Sequence, residues 1–397
     1  MSDGPALHLD PLPGFLRAPA LAAIMDALPS ARVVGGAVRD ALAGQPVADV
    51  DLATPLPPDA VQAALRTAGI KVVPTGLAHG TVTAVRDRQG FEITTLRRDV
   101  ETDGRHATVA FTENWRADAA RRDFTINAMF LTRDGAVFDY FGGIADLRAG
   151  RLRFVGDPAA RMAEDWLRVL RYFRFYARYA TEPPDAALRT ALQASAPHLG
   201  RLSVERVWTE LTRILAARDP RKALHLMDDL GGLAAVLPEG ADRAALDRVV
   251  AAGAPVDSVL RFAALLAGDP LAAATRLKLA NADRDRIVAA RCAPLPRPEM
   301  DDDALRRLLV DTPAGTLLDR SWLAGGGGAD WDALRERIKA MPRPVFPLAG
   351  RDALAIGVPA GPRVGALLQA VRDWWMAGGC RADCESCRAE LRRRAEA

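Results

Sequence analysis

No apolar stretch in the 397-residue chain approaches the roughly 20 residues that a membrane-spanning helix needs, so no membrane partner is expected. The N-terminus carries Asp3 and Asp10 among scattered prolines. It has no basic region leading into an apolar core, and a signal peptide is not expected there. Cysteine is scarce: four in a chain this long do not make a disulfide framework, which points to a reducing, cytoplasmic setting. Charge of one sign is scarce too. The 53 basic and 50 acidic residues leave a net +3, too little for composition to mark a nucleic-acid binder; only clustering would do so.

What is present is ordinary globular material, 49% hydrophobic and 26% charged, long enough for two to four domains. Pro19 to Leu28 reads as a first helix with proline near its start. From Arg32 to about Tyr140 the pattern turns to short β-type runs: Arg32–Val34, Val50–Ala53, Lys71–Val73, Thr81–Val85, Phe91–Leu96 and Val137–Tyr140. A helix is expected over Asp59–Ala68. After Gly156-Asp157-Pro158 the β signal fades and helical periods dominate, beginning with one over Arg161–Tyr179. The expected fold class is α+β. A head with a mixed sheet over residues 1–148 precedes a helical neck at 149–217, a helical body at 218–340 and a helical tail at 341–397.

Chemistry concentrates first in residues 33–54. Val33-Val34 run into Gly35-Gly36, a short helix carrying Arg39 follows, and then come Asp49-Val50-Asp51. On a strand, side chains alternate, so Asp49 and Asp51 would share one face while Val50 and Leu52 enter the core. Two close carboxylates suit a hard divalent ion such as Mg²⁺ held jointly with phosphate oxygens. The glycines let backbone N–H groups approach an anion, and Arg39 is placed to reach a phosphate. Each half alone reads as an ordinary turn or as solvated aspartates; together, in this order, they favour a site. Glu92, in Phe91-Glu92-Ile93, is the candidate third carboxylate, with the polar face of an amphipathic strand as the equal alternative.

This segment resembles the first motif of the class II tRNA nucleotidyltransferase/poly(A) polymerase family, within the DNA polymerase β-like nucleotidyltransferases. The resemblance implies two-metal transfer of a nucleotide to an RNA 3′-hydroxyl, with Asp49 and Asp51 as metal ligands. Arg121-Arg122-Asp123-Phe124-Thr125-Ile126-Asn127 is similar to the second motif. That likeness implies an arginine, Arg121 or Arg122, for phosphate, Asp123 for the ribose hydroxyls, and Asn127 in the same nucleotide site. Arg98 to Asp118 reads as a charged, glycine-bearing loop and resembles the family's flexible loop. Asp139-Tyr140-Phe141-Gly142-Gly143 with Asp146 resembles the hinge motif.

The fourth motif has its likeness in Ala163-Glu164-Asp165-Trp166-Leu167-Arg168. As a plain helix this segment puts Met162, Trp166, Val169, Phe173 and Tyr176 on a buried stripe. Glu164, Arg168, Arg171, Arg174 and Arg178 would then be a solvated face. The resemblance implies instead a protein template for the base. Asp165 would accept from the exocyclic amino group of CTP or ATP and Arg168 would donate to a ring acceptor, with Arg171 and Arg174 reaching phosphates or primer. UTP and GTP would offer Asp165 a carbonyl. Leu202 to Leu211 is similar to the fifth motif; Ser203 is the expected N-cap and the segment a brace for the neck.

The five motifs, in family order over the first ~215 residues, imply an enzyme that adds CMP and AMP to the 3′ acceptor end of tRNA. Rivals are a poly(A) polymerase, an enzyme adding only C or only A, and an inactive RNA-binding relative. No Gly-Arg-Arg-Phe-type segment follows the head. None of the five histidines precedes an aspartate, so no His-Asp phosphohydrolase activity is expected. Cys380, Cys384 and Cys387 could supply three metal ligands with Cys292 as a remote fourth; an incidental spacing is the preferred reading. The residues do not indicate an oligomeric state.

Overall fold

A computed structural model describes residues 4–102 and 107–396. It divides into two compact units, Met1–Val236 and Leu237–Ala397. The first is built on a mixed sheet and the second on helices, an α+β protein.

The sheet of the first unit comprises β1 (Leu7–His8), β2 (Arg32–Val34), β3 (Asp51–Thr54), β4 (Lys71–Gly76), β5 (Thr81–Arg86), β6 (Gln89–Thr95), β9 (Met129–Leu131) and β10 (Ala136–Asp139). A separate hairpin joins β7 (Arg97–Thr102) to β8 (Ala107–Phe111). The large sheet runs in the order β1-β10-β9-β2-β3-β6-β5-β4. Only the pairing of β3 with β6, which sets Leu52 beside Ile93, is parallel; the other pairings are antiparallel.

Period-two alternation sorts the apolar residues onto both faces. Val33, Leu52, Ile93 and Leu131 lie in one cluster with Leu21, Ile24, Val61 and Leu65. Those last four come from helices α1 (Pro19–Ala27) and α3 (Pro58–Thr67), between which lies the short α2 (Gly36–Leu42). Val34, Ala53, Leu96 and Phe130 face the other way, into a smaller cluster with Ala119 and Tyr140. By the same parity Asp51 and Glu92 belong to this second face. Around β2, β3 and β9 the sheet is therefore buried on both sides, whereas Glu92, in the middle of β6, stays exposed.

Two expectations change here. Strand β3 begins at Asp51, one residue later than its apolar pattern suggested, and Asp49 lies in the preceding loop. The reason is the partner: Val34 pairs with Asp51, and the chain then turns away at Gly35, leaving Asp49 and Val50 no ladder to join. The segment from Arg98 to Asp118 is not a plain loop. It holds the β7–β8 hairpin and the start of α4 (Trp115–Ala120), capped by Asn114 accepting from Ala117 N–H at 3.1 Å. Asp103-Gly104-Arg105-His106 lies outside the described residues.

After the sheet come α5 (Gly143–Ala149), α6 (Pro158–Glu164), α7 (Leu167–Tyr179), α8 (Ala186–Ser195), α9 (Val204–Leu215), α10 (Arg221–Asp229) and α11 (Gly232–Val236). The single helix expected over Arg161–Tyr179 is two helices. Asp165 is extended at φ −154°, ψ 107°, and its carboxylate accepts from Leu167 N–H at 3.0 Å, starting the second helix afresh. Of the expected stripe, Met162, Val169, Phe173 and Tyr176 are buried, whereas Trp166 is only half-buried and stacks on His198 with ring centroids 4.0 Å apart. Ser203 sits at the N-cap of α9 but makes no side-chain capping bond.

In the second unit, aspartates open the helices in the way short acceptors do. Asp242, Asp257, Asp269 and Asp301 each accept a backbone N–H of the first turn. The basic C-terminal segment is a helix over Cys384–Glu396. It is fixed by Cys387 and Leu391 in a core with Val371 and Trp375, and by Arg393 and Arg394 on Glu390.

Candidate active site

Between β2 and α2, Gly35 adopts φ 70°, ψ −123°, a conformation open in practice to glycine alone. The turn brings the opening of α2 over the end of β2, and the β2–β3 pairing sets Asp51 beside it. Asp51 and Asp49 reach the cleft with solvent contact and make no ion pair among the described residues. Partial desolvation first, then the charges of Glu92 and Asp49, push the Asp51 carboxyl above its ordinary range. Glu92 is thus an electrostatic neighbour of Asp51, although it does not line the cleft itself.

Facing this turn is the segment from α4 to β9. Asp118 is buried and takes both arginines, Arg121 through Nε at 2.8 Å and Arg122 through Nη2 at 2.8 Å. Only Arg122 also lines the cleft; Arg121 is left outside it. Asp123 is buried and saturated. Its Oδ1 accepts from Phe124 N–H at 2.8 Å and Asn127 Nδ2 at 3.0 Å, and its Oδ2 from Arg171 Nε at 2.8 Å. Burial raises this carboxyl's pKa, but the Arg171 charge and these donors outweigh it and hold the group below the usual range. Asn127 in turn accepts from Arg39 Nη1 at 2.6 Å, and Arg39 lies 4.5 Å over the Tyr179 ring. Arg39, expected to meet a phosphate, is buried and committed to Asn127 and Asp40.

The break between α6 and α7 creates the third part. Asp165 presents its carboxylate there, with Oδ2 accepting from Arg206 of α9 at 2.7 Å. Arg168 is held separately, by Glu164 and by the carbonyl of Arg161 at 2.8 Å. Glu164 is a clamp for Arg168 and does not line the cleft. Arg174 pairs with the buried Glu210, also on α9, at 2.8 Å, and burial pulls its guanidinium down to about 10.

A cleft of about 770 Å³ joins the three parts. Along its wall lie Gly35, Gly36, Arg39, Asp49, Asp51, Arg122, Asp123, Asn127, Asp165, Arg168, Arg171 and Arg174. Glu92, Arg121 and Glu164 are the sequence candidates it does not include. Three charged residues that the sequence did not assign to the site also line it, Asp40, Arg178 and Arg206. Arg178 follows the i, i+4 series from Arg174, a signal that was available. Arg206 was not legible, because its segment read as a brace and nothing local tied it to Asp165.

The donor set fits a hard divalent cation shared with phosphate. Asp49 and Asp51 carry acceptor oxygens only, and the crowding of negative charge around Asp51 is the condition a cation relieves. No three His, Cys, Asp or Glu side chains converge as a ready metal cage among the described residues, so such an ion would complete its shell from water and triphosphate oxygens.

The family described as Poly A polymerase head domain matches residues 31–153. That described as Probable RNA and SrmB- binding site of polymerase A matches residues 184–243. The chain is 36% identical over 370 residues to CCA tRNA nucleotidyltransferase 1, mitochondrial, of Mus musculus, spanning 89% of this chain and 84% of that protein. It is 40% identical over 211 residues to a CCA-adding enzyme of Streptococcus pyogenes, 53% of this chain and 51% of that one. Among solved structures, the Bacillus stearothermophilus CCA-adding enzyme in complex with CTP superposes with a TM-score of 0.77 at 28% identity, covering 97% of this chain and 98% of its own. With this likeness running through most of its length, the chain belongs to the class II tRNA nucleotidyltransferase/poly(A) polymerase family.

Proposed function

We propose that this protein adds CMP and AMP to the 3′ end of tRNA, using CTP and ATP and releasing pyrophosphate. The observation that carries the proposal is the single cleft in which the glycine turn and Asp49/Asp51 face the Asp165/Arg168 pair. One end offers acceptors for cations and the other offers a fixed hydrogen-bonding edge for a base. The mouse relative matches 89% of this chain, and the Bacillus stearothermophilus enzyme shares its fold over 97% of it.

In this reading the head, residues 1–148, performs transfer, the neck at 149–217 selects, and the helices beyond hold the tRNA. Asp49 and Asp51 would hold Mg²⁺, which when bound neutralises the triphosphate and lowers the pKa of the attacking hydroxyl. Glu92 supports that pair through its charge. Gly35 and Gly36 let the triphosphate approach the backbone, and Arg122 supplies a cation beside it. Asp123 is fixed by Arg171 and Asn127, so a sugar hydroxyl would bond it by taking the place of one of these donors. Asp165 accepts from the amino group shared by cytosine and adenine, while Arg168 donates to the neighbouring ring acceptor. A base presenting a carbonyl there leaves Asp165 facing another acceptor, an error costing about 1–3 kcal/mol. No helix among the described residues is long and apolar enough to cross a membrane, and the few cysteines fit the cytoplasm in our reading.

Single-turnover extension of tRNAs lacking the last one, two or three nucleotides, with each nucleoside triphosphate supplied separately, tests the proposal. C is expected at the first two positions and A at the third; long A tails, or C alone, would overturn it.

A further inference from the structure

Asp165 is a base reader only if its carboxylate points the same way each time a nucleotide arrives. Its own backbone gives little help, because the residue is extended and lies between two helices. One oxygen is tied to Leu167 N–H at 3.0 Å, a single bond about which the group can still turn. The other oxygen is held from outside the neck helix, by Arg206 Nη2 at 2.7 Å. Arg168 has its own keeper in Glu164. The two reading groups are therefore positioned by different partners, and the partner of Asp165 is delivered by α9.

We propose that Arg206 is a positioning residue for base choice: it fixes the Asp165 carboxylate so that the amino group of CTP or ATP meets an aimed acceptor. The inference rests on the base-reading role given to Asp165 above. Three observations support it. Arg206 lines the same cleft as Asp165 and Arg168. Its side chain keeps 38% of its surface and that of Asp165 27%, so the pair is reachable by an incoming base and is not a sealed structural bridge. Finally, α9 places Glu210 one turn further on, against Arg174; the helix backs two groups of the cleft at i, i+4 spacing, which a mere brace has no need to do. Guanidinium also keeps donors free after one bond to a carboxylate, so Arg206 can stay in place while the nucleotide's amino group uses the remaining lone pairs.

The test uses the full chain and a tRNA acceptor, comparing Arg206→Ala, Arg206→Lys and Asp165→Ala. A hydrogen bond to a charged group is the interaction removed, so CTP-over-UTP discrimination in Arg206→Ala should fall on the order of tenfold or more. The KM for CTP and ATP should rise more than kcat falls, and Arg206→Lys should recover part of the discrimination. A purely structural role would lower Tm and slow all four nucleotides alike; that pattern, or unchanged discrimination in Arg206→Ala while Asp165→Ala relaxes it, overturns the inference and leaves the base-reading role standing. Unchanged base choice in Asp165→Ala removes the base-reading role itself, and the inference with it.

Discussion

The two ends of the cleft are built on opposite electrostatic plans. At the transfer end Asp49 and Asp51 make no ion pair among the described residues, and desolvation first, then the like charges of Glu92 and Asp49, raise the Asp51 carboxyl above its ordinary range. At the selecting end four charged groups are met by their opposites: Asp123 by Arg171, Arg168 by Glu164, Asp165 by Arg206, Arg174 by Glu210. On the proposed reading the first arrangement would relax when cations and triphosphate enter, and the second, settled beforehand, would stay fixed as nucleotides come and go. A site that must bind a mobile ion but read a base edge reproducibly needs both, since aiming a hydrogen bond requires rigidity and admitting a metal requires free acceptors.

The largest break in that comparison comes from the tense end. Asp49→Ala or Asp51→Ala should abolish incorporation, a loss of roughly 10³-fold or more if the cation contributes several kcal/mol to the transition state. Because neither carboxylate is an internal partner, melting temperature should not fall, and tRNA affinity should stay nearly the same. Single-turnover incorporation beside filter binding checks it; surviving activity would remove these residues from the metal site.

At the settled end the expected damage is to the fold. Arg171→Ala strips the charge partner from buried Asp123 and should cost about 3 kcal/mol in denaturant unfolding. The pH dependence follows from the sign of the Asp123 shift. Its folded pKa is depressed, so its contribution is fully present above the unfolded carboxylate value and is lost as pH falls through the folded one. The variant should therefore lose part of the acid-side slope of stability. An unfolding curve parallel to that of the parent, down through the carboxylate range, would show that the pair does not hold the two segments together.

How much of this was legible follows the same division. The transfer end is local: Gly35-Gly36, Asp49 and Asp51 lie within twenty residues, and glycine turns and alternating carboxylates leave marks in a short window. Even so, the strand boundary was misplaced by one residue, because the partner β2 ends at Val34 and only pairing reveals that. The selecting end is assembled from distant segments. Its motif was visible at Glu164–Arg168, but periodicity drew a continuous helix through Asp165, since an aspartate that bonds to Leu167 N–H looks like any other polar position in a heptad. Arg206 lies 41 residues from Asp165, and no spacing rule connects them. The β7–β8 hairpin escaped for another reason: its first strand, Arg97–Thr102, is mostly charged and polar, and its pairing is with itself rather than with the large sheet.

Smaller effects sharpen the contrast. Gly35→Ala would force a side chain into φ 70°, ψ −123°, where the new Cβ meets Arg122 Nη1 only at 3.7 Å. The cost is strain of the backbone and not collision, about 1–2 kcal/mol, and it should appear in stability and in triphosphate KM together. A variant as stable as the parent would mean the turn has another conformation open to it.

The smallest prediction is the most discriminating, because the two plans require opposite signs. Asp51 is raised by burial, by Glu92 and by Asp49. A carboxyl whose folded pKa lies above its unfolded one takes stability away as pH rises from the unfolded value through the folded value. Removing a neighbouring negative charge in Glu92→Gln should lower the Asp51 pKa toward the ordinary range. The metal-free protein should then melt slightly higher at neutral pH, by about 1–2 °C. At the selecting end, deletion of a charge can only lower the melting temperature, because each deletion leaves a partner unmet. Carboxyl titration by NMR and thermal melts in chelator measure both quantities. A lower melting temperature for Glu92→Gln, with Asp51 unmoved, would mean that Glu92 is tied into the sheet as a structural residue, and the transfer end would lose its claim to be held in tension.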